Sequence, residues 1–226
     1  MAWLLLFAMV NTALHYLFSY VGLGYLPSSR STILDSMNGF FAIILSCIIF
    51  EDDKFSKFKA LGCILGFGGI LLINIEPGQN FFQGISFRGD GMILLNAMCG
   101  AFGGIITRII SKKMDMTVAT SLSMTIGGAF LCVVSAIIGP AARWTITTES
   151  IIIMIGLILI SAVCFGVYNQ LLAYHPISKI AIFNAFIPIL GVIFSSIILG
   201  EPMRVKYIIA GCMVALGVYV MNHFSK

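Results

Sequence analysis

Eight nearly uninterrupted apolar stretches run through this chain, at about 3–24, 29–50, 58–76, 89–110, 117–139, 150–173, 178–199 and 205–223. A helix that crosses a bilayer needs about 20 such residues, and these stretches come close to that length or exceed it. Inside hydrocarbon every backbone N–H and C=O must be satisfied within the protein, which leaves helices or closed barrels. Barrel strands are shorter and alternate in polarity, and these segments are continuously apolar. The expected fold class is therefore all-α, a polytopic membrane protein of about eight transmembrane helices.

Composition agrees. Of 226 residues, 59% are hydrophobic and 10% charged, with a mean hydropathy of +1.04. A soluble domain has about 45–50% apolar and about 25% charged residues. These values exclude a water-soluble enzyme, a nucleic-acid binder and a disordered chain. Eight spans leave roughly 60 residues for loops and ends, too few for a sizeable extramembrane domain. The net charge of +4 forms no basic stripe. Cys47, Cys63, Cys99, Cys132, Cys164 and Cys212 all lie in apolar stretches without a CxxC pair. They read as small packing residues, and neither a metal nor another cofactor is expected. Met1 to Ser19 lacks a basic leader, since Arg30 is the first positive charge, so it reads as a retained membrane helix.

Local punctuation separates the spans. Leu26-Pro27-Ser28-Ser29 and His175-Pro176-Ile177-Ser178 each set a proline and a capping serine before a helix. Glu76-Pro77-Gly78-Gln79-Asn80 is a turn, and Gly139-Pro140 ends the fifth span. With loops numbered alternately, one side holds 8 of the lysines and arginines and the other 5. The richer side is expected to be cytoplasmic, which puts both termini inside. The expected location is the bacterial inner (plasma) membrane.

The chain also matches itself. Residues 23–68 set against 172–217, an offset of 149, give 13 identities in 46 positions. Chance gives roughly 4 in so biased a composition. The matches include punctuation: Tyr25 and Pro27 fall on Tyr174 and Pro176, Ser29 on Ser178, and Gly62-Cys63 on Gly211-Cys212. Spans 2 and 3 thus correspond to spans 7 and 8. Five crossings separate the partners, so the copies run in opposite directions, as in an inverted-topology repeat. The expected division is a three-helix first repeat over 1–76, a connecting loop over 77–88 and a five-helix second repeat over 89–226.

Further residues carry a family resemblance. Ala185-Phe186-Ile187-Pro188-Ile189, Leu199-Gly200-Glu201-Pro202 and Gly211 resemble the second half of an EamA-type carrier of the drug/metabolite transporter superfamily. Leu26 to Ile73 is similar to the first half, with Phe50-Glu51-Asp52 in place of Gly-Glu. The resemblance implies two inverted five-helix repeats, of which this chain matches helices three to ten. It also implies movement of small metabolites through a central cavity by alternating access. A chain lacking the first two family helices is either naturally short or truncated, and its need for a partner stays open.

Polar groups within spans are costly and mark candidate sites. Asp35 lies about seven residues into the second span, roughly 10 Å from its end, and Asn38 shares its face. At the repeat offset Asp35 falls on Asn184, followed four residues later by Pro188, which deprives the Asn184 carbonyl of its helical partner. Asp35 either lines a cavity, where it binds an ammonium group or exchanges a proton, or pairs internally for packing. Asn11 and His15 share a face of the first span. Asn96, Asn169 and Gln170 are further lining candidates, although amides also join helices. Arg30 and Lys179, at helix starts, are expected to snorkel to water. Asp52 and Glu201, at helix exits, read as caps or loop anchors.

The expected function is secondary transport of small metabolites or amino-acid-like solutes, with proton coupling as an option. The alternatives are a non-transporting chain or a subunit that needs a partner, and, far behind, a lipid enzyme. An enzyme is not expected, because Glu51-Asp52-Asp53 is the only acidic cluster and no second cluster faces it. The expected partners are a small-molecule substrate and the lipid bilayer, with a homodimer or a partner subunit as a further option.

Overall fold

The computed structural model describes residues 2–49, 56–74, 85–138, 147–175, 180 and 186–223. They form eight helical segments: α1 (Ala2–Leu23), α2 (Ser28–Ile49), α3 (Lys57–Asn74), α4 (Phe87–Ile110), α5 (Met116–Ile138), α6 (Thr148–Tyr174), α7 (Ile187–Leu199) and α8 (Val205–His223). Five of them, α1, α2, α4, α5 and α6, are long and apolar enough to cross a membrane. The chain is an all-α, polytopic membrane protein.

The helix ends follow from local chemistry. Thr147 and Ser150 form a reciprocal capping box at the start of α6. Asp115 accepts from the backbone N–H groups of Thr117 at 2.8 Å and Val118 at 3.3 Å, capping α5. These bonds, with the Thr117 side chain, hold the exposed Asp115 carboxyl below its ordinary range. Helix α4 begins at Phe87, two residues before the expected start, because a π-helical turn over Phe87–Gly91 is capped by Ser86. Pro188 was expected inside a longer seventh helix. It stands in the first turn of the described part, where its missing N–H costs little.

Helix α2 is the centre of the bundle. It packs on α4 along one flank and on α7 along another, while α3 and α8 pack tightly together nearby. Its Ile33, Leu34, Met37, Phe40 and Ile43 join Ile73, Ile93, Val192, Val214 and Val218 in the main core. Helix α1 packs on α4 and α5, where Phe7 meets Ile106, Ile110, Met116 and Ala119. Half of the most apolar stretch of α2 is buried, whereas none of that of α6 is. The isoleucines and leucines of α6 from Ile151 to Ile160 face outward, which in a bilayer means toward acyl chains.

Two helices depart from regular α geometry near the polar residues. In α1, Ala8–Leu14 is π-helical, and Asn11, Thr12 and Ala13 are buried within it. Such wide turns are frequent at functional sites. In α2 the helix is interrupted at Ser36, between Asp35 and Met37. There the Ser36 hydroxyl donates back to the Thr32 carbonyl at 2.7 Å, and the Thr32 hydroxyl donates to the Ser28 carbonyl at 2.8 Å. Back-bonding of this kind bends helices.

Candidate functional site

Four helices bring the polar groups together. A cavity of about 260 Å³ is lined by Asn11 and His15 of α1, Asn38 of α2, Gly100 of α4, and Cys164, Phe165 and Tyr168 of α6. Asp35 and Asn96 stand beside it. The Asn96 Nδ2 donates to Asp35 Oδ1 at 2.6 Å. The His15 ring faces the backbone carbonyl of Asn96 and lies within electrostatic reach of Asp35. One carboxylate, one imidazole and three amides therefore converge from three helices.

Helix α4 makes this convergence fit. A Cβ on Gly100 would lie 2.7 Å from Asn38 Nδ2, and one on Gly103 would lie 2.5 Å from Asn11 Oδ1. Hydrogen occupies those positions, so both amides can lie against the α4 backbone. The Gly100-xxx-Gly104 pattern reads in sequence as generic small-residue packing. In the fold Gly100 and its neighbour Gly103 give room to polar side chains of two other helices.

The hydrogen-bonding capacity of the group is incompletely used. Asn11 Nδ2, His15 Nδ1 and Asn96 Oδ1 are buried without a hydrogen-bond partner. A buried, unsatisfied polar atom costs about 1–3 kcal/mol, so three in one place call for an explanation. Asn11 and His15, which carry two of these atoms, are also residues of the cavity wall. The cavity wall, with two amides, an imidazole and the Tyr168 hydroxyl, can donate and accept hydrogen bonds to a small polar solute, and the Asp35 carboxyl lies behind it on Asn96.

The other sequence candidates lie elsewhere. Asn169 donates to Thr120 at 3.1 Å and Gln170 to Thr117 at 2.7 Å, so both amides tie α6 to α5. Asn184 and Lys179 lie outside the described residues. Arg30 does not snorkel. Its guanidinium pairs with Asp90 at 2.6 Å, with the two side chains 13% and 3% exposed, and so binds the start of α2 to the start of α4. Asp90 also accepts from the Ser86 N–H at 2.8 Å.

Glu201 caps α2 from the loop after α7. It accepts from the backbone N–H groups of Ser28 at 2.7 Å and Ser29 at 3.0 Å, and from the Ser29 hydroxyl at 2.5 Å. Gly200 allows this reach, because its φ of +66° ends α7 in the left-handed region and turns the chain back. Burial works against the charged form of Glu201, but the three hydrogen bonds outweigh it and hold the carboxyl below its ordinary range. Among the described residues no three His, Cys, Asp or Glu side chains gather as a metal site requires.

Sequence reasoning misses Phe165 and reads Cys164 as packing, while Tyr168 stands with Tyr16, Phe18, Tyr20 and Tyr207 among aromatics that could stack on a substrate or face lipid. The repeat offset held a signal: it carries His15 onto Cys164 and Tyr16 onto Phe165. Tyr16 and Phe165 stack, with ring centroids 5.7 Å apart.

Comparison with known proteins matches this architecture. The model of the EamA-like transporter family fits residues 1–75 and 87–223. The uncharacterized transporter YvbV of Bacillus subtilis is 25% identical over 97% of this chain and 71% of its own length. An uncharacterized transporter of Methanothermobacter thermautotrophicus is 23% identical over 99% of this chain and 65% of its own. A chloroplastic WAT1-related protein of Arabidopsis thaliana is 25% identical over 96% of this chain and 54% of its own. The chain thus spans between about half and three-quarters of the length of these relatives. A solved crystal structure superposes with a TM-score of 0.68 over 99% of this chain and 77% of its own, at 11% identity, which speaks for the fold alone. With nearly its whole length matched by the family model, the chain belongs to the EamA-like transporter family.

Proposed function

We propose that this chain is a secondary transporter of small metabolites that works by alternating access, with the cavity between α1, α2, α4 and α6 as its solute site. The supporting observation is the cluster of Asn11, His15, Asp35, Asn38 and Asn96, with unmet hydrogen-bonding atoms at its border. Asp35 supplies the one carboxylate and is the natural partner for an ammonium group. The inverted repeat supplies two nearly equivalent arrangements of the helices, one open to each side. A carboxylate and an imidazole in electrostatic contact can also pass a proton, which makes coupling to a proton gradient part of the proposal. The protein resides in the bacterial inner membrane with both termini in the cytoplasm.

The test is uptake by proteoliposomes holding the purified chain. A panel of labelled amines and amino acids is offered with and without a pH gradient. Accumulation above empty liposomes for at least one amine, enhanced by the gradient, is the expected result.

A second reading has its own support. The relatives are longer than this chain, and α6 buries none of its most apolar stretch while α1 buries 28% of its own. A subunit that transports only after joining a partner would show the same features. It would give no uptake alone and recover uptake on co-reconstitution.

A further inference from the structure

We infer that Arg30, Asp90 and Glu201 form a releasable latch that closes the polar cavity toward the face of the membrane at which α2 begins, and that solute exchanges with that face when the latch parts. The inference rests on the transport reading above and assigns residues to one of the closures that alternating access requires.

Three consecutive residues of α2 carry the latch. The backbone N–H groups of Ser28 and Ser29 donate to Glu201, in the loop after α7, at 2.7 and 3.0 Å. Arg30 Nε and Nη2 lie 2.8 and 2.6 Å from Asp90 Oδ1, at the start of α4. The end of α1 closes against the same place, where a Cβ on Gly22 would lie 2.7 Å from the Ile93 side chain and 3.2 Å from the Gly89 carbonyl. Four chain segments therefore meet at one face.

The latch stands over the cavity. Asn38 of the cavity wall lies ten residues beyond Ser28, roughly 15 Å along the helix, and Gly100 lies equally far beyond Asp90. Ile33, Leu34 and Met37 of α2 with Ile93 and Ala97 of α4 fill the interval, each 2% exposed or less. The interruption of α2 at Ser36 falls between latch and cavity. It makes Ser28–Asp35 a separate short segment, with the latch at one end and Asp35 at the other. A swing of this segment about Ser36 frees the latch and shifts Asp35 against Asn96 in one movement, which ties the closure to the polar cluster.

The chemistry suits release. Dehydration offsets much of the attraction in a buried ion pair, and both charges regain hydration when they part into water. The hydrogen bonds to Glu201 likewise exchange for bonds to water. Such a closure holds when dry and parts when wetted.

The experiment measures distances by double electron–electron resonance on the full chain in nanodiscs, after its native cysteines are replaced. Spin labels sit at Tyr25→Cys, just before α2, paired with Phe87→Cys or Met203→Cys, all three exposed positions. Arg30→Gln with Glu201→Gln is expected to raise a second, longer distance by at least about tenfold in population, and each single change by less. The singles keep the test readable if the double variant fails to fold. A merely structural contact would lower the melting temperature without adding a distance, and that result overturns the inference. In the second arm Ser29→Cys and Glu201→Cys are bridged by a short reducible cross-linker. Bridging is expected to cut proteoliposome uptake by at least about tenfold, with recovery on reduction. Unchanged uptake in the bridged protein also overturns the latch. Wild type that takes up nothing sinks the transport reading instead, while the distances still decide the latch.

Discussion

Asn96 of α4 donates a hydrogen bond to Asp35 of α2 across 2.6 Å, joining two helices through residues 61 apart in sequence. The remaining Asn96 acceptor, Oδ1, is buried without a partner. The pair therefore orients Asp35 without exhausting the polar capacity around it. Replacing Asn96 by leucine removes the hydrogen bond to the Asp35 carboxyl. The expected outcome is a fall in uptake affinity of about tenfold or more, with Asn96→Gln intermediate. Concentration-dependent uptake in proteoliposomes measures it.

Gly100 and Gly103 of α4 should be intolerant of even a methyl group. Gly100→Ala would press on Asn38, and Gly103→Ala on Asn11, at separations that require movement. Each substitution is expected to destabilise the protein by about 1–3 kcal/mol, and to lower uptake more than the loss of folded protein explains. Gly128→Ala serves as the control, since a Cβ there meets open space. Thermal unfolding in detergent together with uptake per folded molecule checks this.

Removing one member of the Arg30–Asp90 pair strands the other in a poorly hydrated place. Arg30→Met is expected to cost about 3 kcal/mol, and the double variant Arg30→Met with Asp90→Leu less than the sum of the two single changes. A double-mutant cycle read by denaturation in mixed micelles gives the coupling.

Glu201 links stability to pH. Its carboxyl is held below the ordinary range by Ser28 and Ser29, so the folded state favours the ionised form. The unfolded chain binds the proton more readily. Stability from this cap is therefore present above about pH 4.3, the unfolded carboxyl value, and is lost as pH falls through the lower folded value. Glu201→Gln is expected to lower stability by about 1 kcal/mol at pH 7 and to flatten the decline on acidification. Melting temperatures from about pH 7 down to about pH 3, a range that brackets that value, decide it; an equally steep decline in the variant would place the acid sensitivity elsewhere.

Much of this fold is legible because lipid imposes a simple rule. Most apolar runs became helices within a few residues of the expected positions, although the described part of α7 begins only at Ile187; Ser28 and Ser29, expected as caps, stand inside α2 after Pro27, and Glu201 caps their N–H groups instead. The site is half legible for the same reason. Asn11, His15, Asp35, Asn38 and Asn96 stand out because polarity in a span is costly; the fold sets Asn11, His15 and Asn38 in the wall of one cavity and bonds Asp35 to Asn96 next to His15. The rule leaves two readings open at Asn169 and Gln170, which bond to Thr120 and Thr117 of α5, since an amide that ties two helices looks no different in sequence from one that lines a cavity. Phe165 is invisible to it, because aromatic residues are unremarkable in lipid. Arg30 finds Asp90, and Glu201 finds α2, across separations of 60 and 172–173 residues that no local pattern encodes.

The most direct test of the central claim, that Asp35 serves the solute rather than the scaffold, is uptake by Asp35→Asn beside wild type in matched proteoliposomes. The account predicts normal insertion and melting, uptake reduced by at least about tenfold, and loss of the response to a pH gradient. Unchanged uptake with an unchanged pH response would contradict it.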